Sequence, residues 1–188
     1  MFKNILQFLQ KLLKLGQTNT TALGKAQPQV QTAPKATEVK QDEYSEGRIR
    51  YSEQLIPNLT QDHVELVNLY GSFQQLIQHR HYSQIAQALE QLKSKFNLHI
   101  MQENLHFYCY LEQSFRTEPE QLEMIKAYRK EMNHISSAVV RFIKKWQIQE
   151  INDLNVTAFI EEYQAVGEVL AQRIHQEEHH LYTLYQPA

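Results

Sequence analysis

One cysteine in 188 residues, Cys109, leaves no partner for an internal disulfide and fits a reducing compartment. Glycine and proline are scarce too, five of each, and only Gly71 and Gly167 interrupt the long periodic stretches. So few turn formers inside apolar periods exclude a sheet-rich fold and favour an all-helical one. Neither sign of charge prevails: 19 Lys and Arg against 21 Asp and Glu leave a net charge of -2, which provides no general affinity for nucleic acid. The apolar stretch nearest the start is broken by Gln7, Gln10 and Lys11, so it is not a transmembrane span. Its lysines are scattered through it rather than placed ahead of it, which argues against a signal peptide. What is present, 42% hydrophobic and 21% charged residues, suits a soluble globular protein.

Three segments follow from composition. Residues 1–15, with Phe2, Ile5, Leu6, Leu9, Leu12 and Leu13 at helical spacing and Lys3, Lys11 and Lys14 as charges, read as an amphipathic helix for a membrane surface or a protein partner. Residues 16–48 are rich in Gln, Thr, Ala, Pro and Lys and read as a flexible linker, too poor in apolar side chains to offset the entropy of ordering. Residues 49–188 form the folded domain.

Four helices are expected in that domain. The first spans about 60–78, and the second about 83–115 with Ser83 as its cap. The third opens at Thr117-Glu-Pro-Glu120, a capping box with proline in the first turn. The fourth starts between Asn152 and Thr157 and runs to about Tyr185. Short connections make neighbouring helices antiparallel, hence an up-down-up-down four-helix bundle. A first helix starting at Thr60 would leave one end of the bundle with only three walls. Tyr51, Leu55, Ile56 and Leu59, interrupted by Pro57, are placed to cover it as an extended segment.

The histidines repeat. Asp62-His63 is followed by His99-Ile-Met-Gln-Glu103, and Asn133-His134 by His175-Gln-Glu-Glu-His179. In an antiparallel hairpin, residues equally far from the turn sit level, each residue rising about 1.5 Å. The midpoint of His63 and His99 is position 81, within His79-Arg80-His81; the other two midpoints fall at Arg116–Thr117 and Leu154–Asn155. All three coincide with expected turns, so four histidines come level on four helices. His99 and Glu103 share a helix face, as do His175 and His179. His79, His81, His106 and His180 read as ordinary surface or edge residues.

These residues resemble the hemerythrin-like (HHE cation-binding) family. Its pattern of a His on the first helix, HxxxE on the second, a His on the third and a His-led acidic motif on the fourth meets His63, His99-xxx-Glu103, His134 and His175 here, across residues 60–186. The resemblance implies a non-haem di-iron centre bridged by two carboxylates, with manganese or zinc as other fits to imidazole and carboxylate donors. Two departures stand out. Ala138 follows His134 where a further His is expected, and His179 and His180 occupy the positions of the fourth helix's carboxylate. The expected ligand set is therefore His63, His99, Glu103, His134, His175 and His179, with Glu178 or Glu168 as spare carboxylates and Tyr70, Tyr108, Tyr128, Tyr163 and Tyr182 as surrounding donors. The expected function is binding or sensing of dioxygen or a related small oxidant by a cytoplasmic protein, held at the inner membrane surface or on a partner by its N-terminal helix. An enzymatic role is left open and ranks lower. Two other readings stand beside it. One is a metal-free bundle that binds a protein partner; the other is a single-metal site built from His99, Glu103, His134 and His175.

Overall fold

The structure is a computed structural model that describes residues 48–187. The N-terminal amphipathic helix and residues 16–47 of the linker lie outside the described residues. Four long helices, with no strand among the described residues, account for the domain: α1 (Leu55–Gln78), α2 (Tyr82–Gln102), α4 (Pro119–Ile148) and α5 (Val156–Gln176). Helix α2 runs on through a π-helical turn, Glu103–Tyr108, into the short α3 (Cys109–Ser114). Helix α5 ends in a second π-helical turn, Glu177–Leu181, and a 3-10 turn, Tyr182–Leu184. The four long helices touch in a closed ring, α1 on α2, α2 on α4, α4 on α5 and α5 on α1. None of the described helices is long and apolar enough to cross a membrane.

The buried positions of α1, Leu55, Leu59, His63, Leu66, Val67, Tyr70 and Phe73, recur at three- and four-residue steps, so one stripe faces inward. The helix begins earlier than its periodicity suggests. Pro57 falls in the first turn, where a missing N–H costs nothing, so Leu55 and Leu59 cover the end of the bundle as helix rather than as extended chain. Ahead of them, Tyr51 stacks on Tyr185 at 5.0 Å and the Ser52 N–H donates to the Tyr185 hydroxyl at 3.0 Å. The first turn falls where expected, at residues 79–81, and Arg80 takes the left-handed conformation there (φ 56°). Two expected caps do not form. The cap positions are His81 and Glu118 rather than Ser83 and Thr117, and neither makes a side-chain capping bond, although Pro119 does open α4.

The core divides in two. The larger cluster holds Phe73, Leu89, Phe96, Ile143, Trp146 and Phe159. The smaller holds Leu55, Leu59, Phe107, Tyr108, Leu111, Ile125, Leu181 and Tyr182. Helices α1 and α5 are clasped by a pair of tyrosines: Tyr70 OH donates to the Tyr163 carbonyl at 2.5 Å, and Tyr163 OH to the Tyr70 carbonyl at 2.9 Å. Gly167 makes room for this pair, since a Cβ there would stand 3.0 Å from Tyr70 Cε1. Between the two apolar clusters lies a belt of buried polar side chains: His63, His99, Glu103, Arg173 and Glu177.

Candidate metal centre

His63 sits one turn beyond Leu59 on α1, and His99 faces it from α2. Their Nε2 atoms are 3.1 Å apart, about the separation of two nitrogens that each lie near 2 Å from a shared ion. Glu103 follows His99 by one helical turn and Glu177 enters from the end of α5. One ligand atom from each of these four buried residues lies within 4.8 Å of all the others.

The outer nitrogen of His63 is oriented by a carboxylate, and that of His99 is buried without a hydrogen-bond partner. His63 Nδ1–H donates to Glu178 Oε1 at 2.8 Å. His99 Nδ1 faces Asp62 Oδ2 at 3.6 Å, too long for a hydrogen bond. In both rings Nε2 turns toward the cluster; for His63 this is the carboxylate–histidine arrangement that holds imidazoles on metals. Tyr182 OH donates to Glu103 Oε1 at 2.9 Å, and Glu103 Oε2 has no hydrogen-bond partner although fully buried. A buried carboxylate oxygen without a donor is costly. A cation among these four residues removes that cost, so the donor set fits a metal ion.

Arg173 closes the far side. Its Nε donates to Glu177 Oε1 at 2.5 Å, its Nη2 to the Tyr108 hydroxyl, and its Nη1 lies 3.3 Å from Glu131 Oε2. The guanidinium also stands 5.7 Å from the centre of the Tyr128 ring. Next to the histidine pair lies a cavity of ≈ 40 Å³, walled by Leu66, Phe96, Met132 and Ile174 among others. That is room for about two or three water-sized atoms.

The π-helical turns start at the two carboxylates, Glu103 and Glu177. Each inserts a wider turn between a carboxylate and the aromatic wall beyond it, and such turns concentrate at functional sites. Arg129 of α4 secures the first: Nε donates to Asn104 Oδ1 at 3.0 Å, Nη2 to the Asn104 carbonyl at 3.2 Å and Nη1 to Glu112 at 2.9 Å.

Three of the six expected ligands come together: His63, His99 and Glu103. The other three do not. His134, His175 and His179 are exposed. His179 donates Nδ1 to the His175 carbonyl at 3.0 Å, and its ring lies 4.1 Å from that of His175. Both helices fail in the same way. The residue facing the centre is Met132 instead of His134 on α4, and Arg173 instead of His175 on α5. Two residues change the height by about 3 Å but turn the side chain by about 200°. Equal level therefore does not guarantee a shared direction.

Glu177 escaped the sequence reading, although a signal for it exists. Displacing the chain by 74 positions lays His99 on Arg173, Glu103 on Glu177, Phe107 on Leu181 and Tyr108 on Tyr182. All eight of these residues are buried. The repeat built on His175 matched histidines and broke the register of the apolar wall. Glu178, expected as a spare ligand, serves His63 from outside instead. Of the five tyrosines, Tyr182 and Tyr108 reach site residues and Tyr128 underlies Arg173, whereas Tyr70 and Tyr163 bond each other's backbones.

Burial alone would strip the His63 proton. Hydrogen bonds to Glu177 and Glu178 overcome it and raise its pKa to about 9. Burial, reinforced by the Glu177 charge, pushes Glu103 up to about 7. Burial also works against the Glu177 charge, but His63 and Arg173 hold that carboxyl below its usual range. Without metal, His63 is therefore an imidazolium at neutral pH, and an incoming ion must displace its proton. Metal affinity should rise about tenfold per pH unit between about pH 7 and pH 9, level off above, and fall more steeply below about 7, where Glu103 also takes a proton. Titration calorimetry in buffers of different ionisation enthalpy measures the protons released; no release at pH 7 would contradict this assignment.

A helical bundle with a buried cluster of imidazoles and carboxylates defines a protein able to bind a metal ion. The family model of the hemerythrin HHE cation binding domain matches residues 54–185, and the chain belongs to that family. No curated protein and no solved structure matches it.

Proposed function

We propose that this domain holds iron at His63, His99, Glu103 and Glu177, and uses it to bind or sense dioxygen or a related small oxidant. The observation that carries this reading is the cavity beside the histidine pair: ≈ 40 Å³ and apolar along most of its wall. It suits a neutral diatomic molecule and gives bulk water little to bond to. Bound iron would supply a redox-active centre with positions left open to such a ligand. The chain's own residues do the rest. Glu178 orients the His63 imidazole, Tyr182 holds one oxygen of Glu103, and Leu66, Phe96 and Met132 keep the ligand's side of the centre dry.

The helices take up-down-up-down order in this reading, and the segment 1–15 tethers the domain to a partner or to the inner membrane surface of the cytoplasm. Binding or sensing, rather than catalysis, is the role it assigns. The test is metal analysis of the full chain grown with iron, with optical spectra recorded anaerobically and after exposure to air. Stoichiometric iron with a near-ultraviolet and visible band that changes on oxygenation is expected. A chain that emerges without transition metal and takes up none on reconstitution would sink the proposal.

A further inference from the structure

Granting the metal-binding reading, we infer that the centre holds a single ion, and that the guanidinium of Arg173 stands in the place of a second. Three observations converge. The first is the source of nitrogen donors. Both imidazoles come from α1 and α2, and no histidine of α4 or α5 reaches the cluster. In the 74-residue repeat, Arg173 holds the position before Glu177 that His99 holds before Glu103, so the side chain that would ligate a second ion is itself a cation.

The second observation concerns the carboxylates. A carboxylate that bridges two ions through both oxygens offers one to each. Glu177 gives Oε1 to Arg173 Nε at 2.5 Å, and Glu103 gives Oε1 to the Tyr182 hydroxyl at 2.9 Å. The other oxygen of each faces the imidazoles or lacks a donor: Glu177 Oε2 lies 3.3 Å from His63 Nε2, and Glu103 Oε2 has no partner.

The third observation is that Arg173 cannot step aside. It is 2% exposed, and its fork is engaged by Glu177, Tyr108 and Glu131. The guanidinium does not lose its charge, and moving it would take from buried Glu177 the cation bonded to its Oε1. A fixed monovalent cation thus stands beside a site of two nitrogens and two oxygens, a donor set for one divalent iron, manganese or zinc ion.

The test is anaerobic titration of the full chain with Fe(II), followed by oxidation, electron paramagnetic resonance and X-ray absorption. One Fe per chain, an isolated high-spin ferric signal and no metal–metal scattering are expected. Two Fe per chain with a coupled, resonance-silent ferric pair would overturn the inference while leaving the metal-binding reading intact. No bound Fe would overturn both. A variant addresses the role of Arg173 directly. Arg173→Ser frees Glu177 Oε1, Tyr108 and Glu131 around a vacancy, so the variant, if folded by circular dichroism, should take up a second, weaker Mn(II) ion at millimolar concentration. Arg173→Lys should stay at one. A folded Arg173→Ser that also stays at one would overturn the assignment of Arg173 to that place; the unaltered chain's titration decides the ion count whether or not the variant folds.

Discussion

Glu177→Gln and His99→Ala should each lower metal affinity by at least about 100-fold, whereas His134→Ala, His175→Ala and His179→Ala should leave it unchanged. The contrast is large because the two groups occupy different environments. Loss of a residue that merely orients a ligand typically costs 10- to 100-fold in metal affinity, so loss of a ligand should cost at least as much. Gln at 177 is a gentle test. Its carbonyl can still accept from Arg173 Nε, so the helix end stays anchored while the charge facing His63 disappears. The three exposed histidines make no contact with the cluster, and the bond from His179 Nδ1 ends on the backbone. Isothermal titration with Zn(II) or anaerobic Fe(II), alongside thermal melts, separates lost ligation from lost folding. Loss of binding in His175→Ala with Glu177→Gln unaffected would reverse the site assignment.

Phe159→Ala should have the opposite profile, with a large loss of stability and little change in metal affinity at a temperature where the variant remains folded. Phe159 is fully buried in the larger core cluster. Its ring contacts Trp146 edge-on at 5.3 Å and stacks with Phe142 at 5.8 Å, with Phe73 and Tyr163 completing the pocket. Truncating such a ring removes its burial and leaves a cavity, together costing about 3–5 kcal/mol. For a domain of this size, that lowers the melting temperature by roughly 10–15 °C. Leu154→Ala is the control: Leu154 is 96% exposed and should shift the melt little. The belt of site residues lies beyond this cluster, so the metal titration of folded Phe159→Ala should match that of the unaltered chain. A small shift in the melt would contradict the tight packing assigned to Phe159.

Most of the helical architecture was readable in the residues, and about half of the site. Periodic apolar positions located every long helix, because burial of one stripe leaves its imprint directly in sequence. Helix ends were less accessible. Pro57 marks an interruption in a sequence pattern, yet in the first turn it is compatible with helix, and the four-residue step from Leu55 to Leu59 already carried the period. On α1 and α2, level and direction coincide, and His63, His99 and Glu103 met as expected. On α4 and α5 the expected histidines are exposed. Turn midpoints report height along a bundle; direction comes from the phase of the buried stripe, and Met132 and Arg173 belong to that stripe. Arg173 disguised the motif because a cation occupied a place that chemistry reserves for a neutral ligand. The count of histidines therefore pointed to the wrong face of α5, while Phe107 with Tyr108, set against Leu181 with Tyr182, held the true register.

The two π-helical turns bear on which changes in length this chain can tolerate. One residue added between His99 and Phe107, or between Arg173 and Leu181, would rotate everything beyond it by about 100° and swing an aromatic wall away from the ligands it shields. The same edit at residues 79–81, in a solvent-facing turn with Arg80 already in the left-handed region, would leave both stretches in phase. Spacing in those two short segments is thus as much a part of the centre as the side chains that line it.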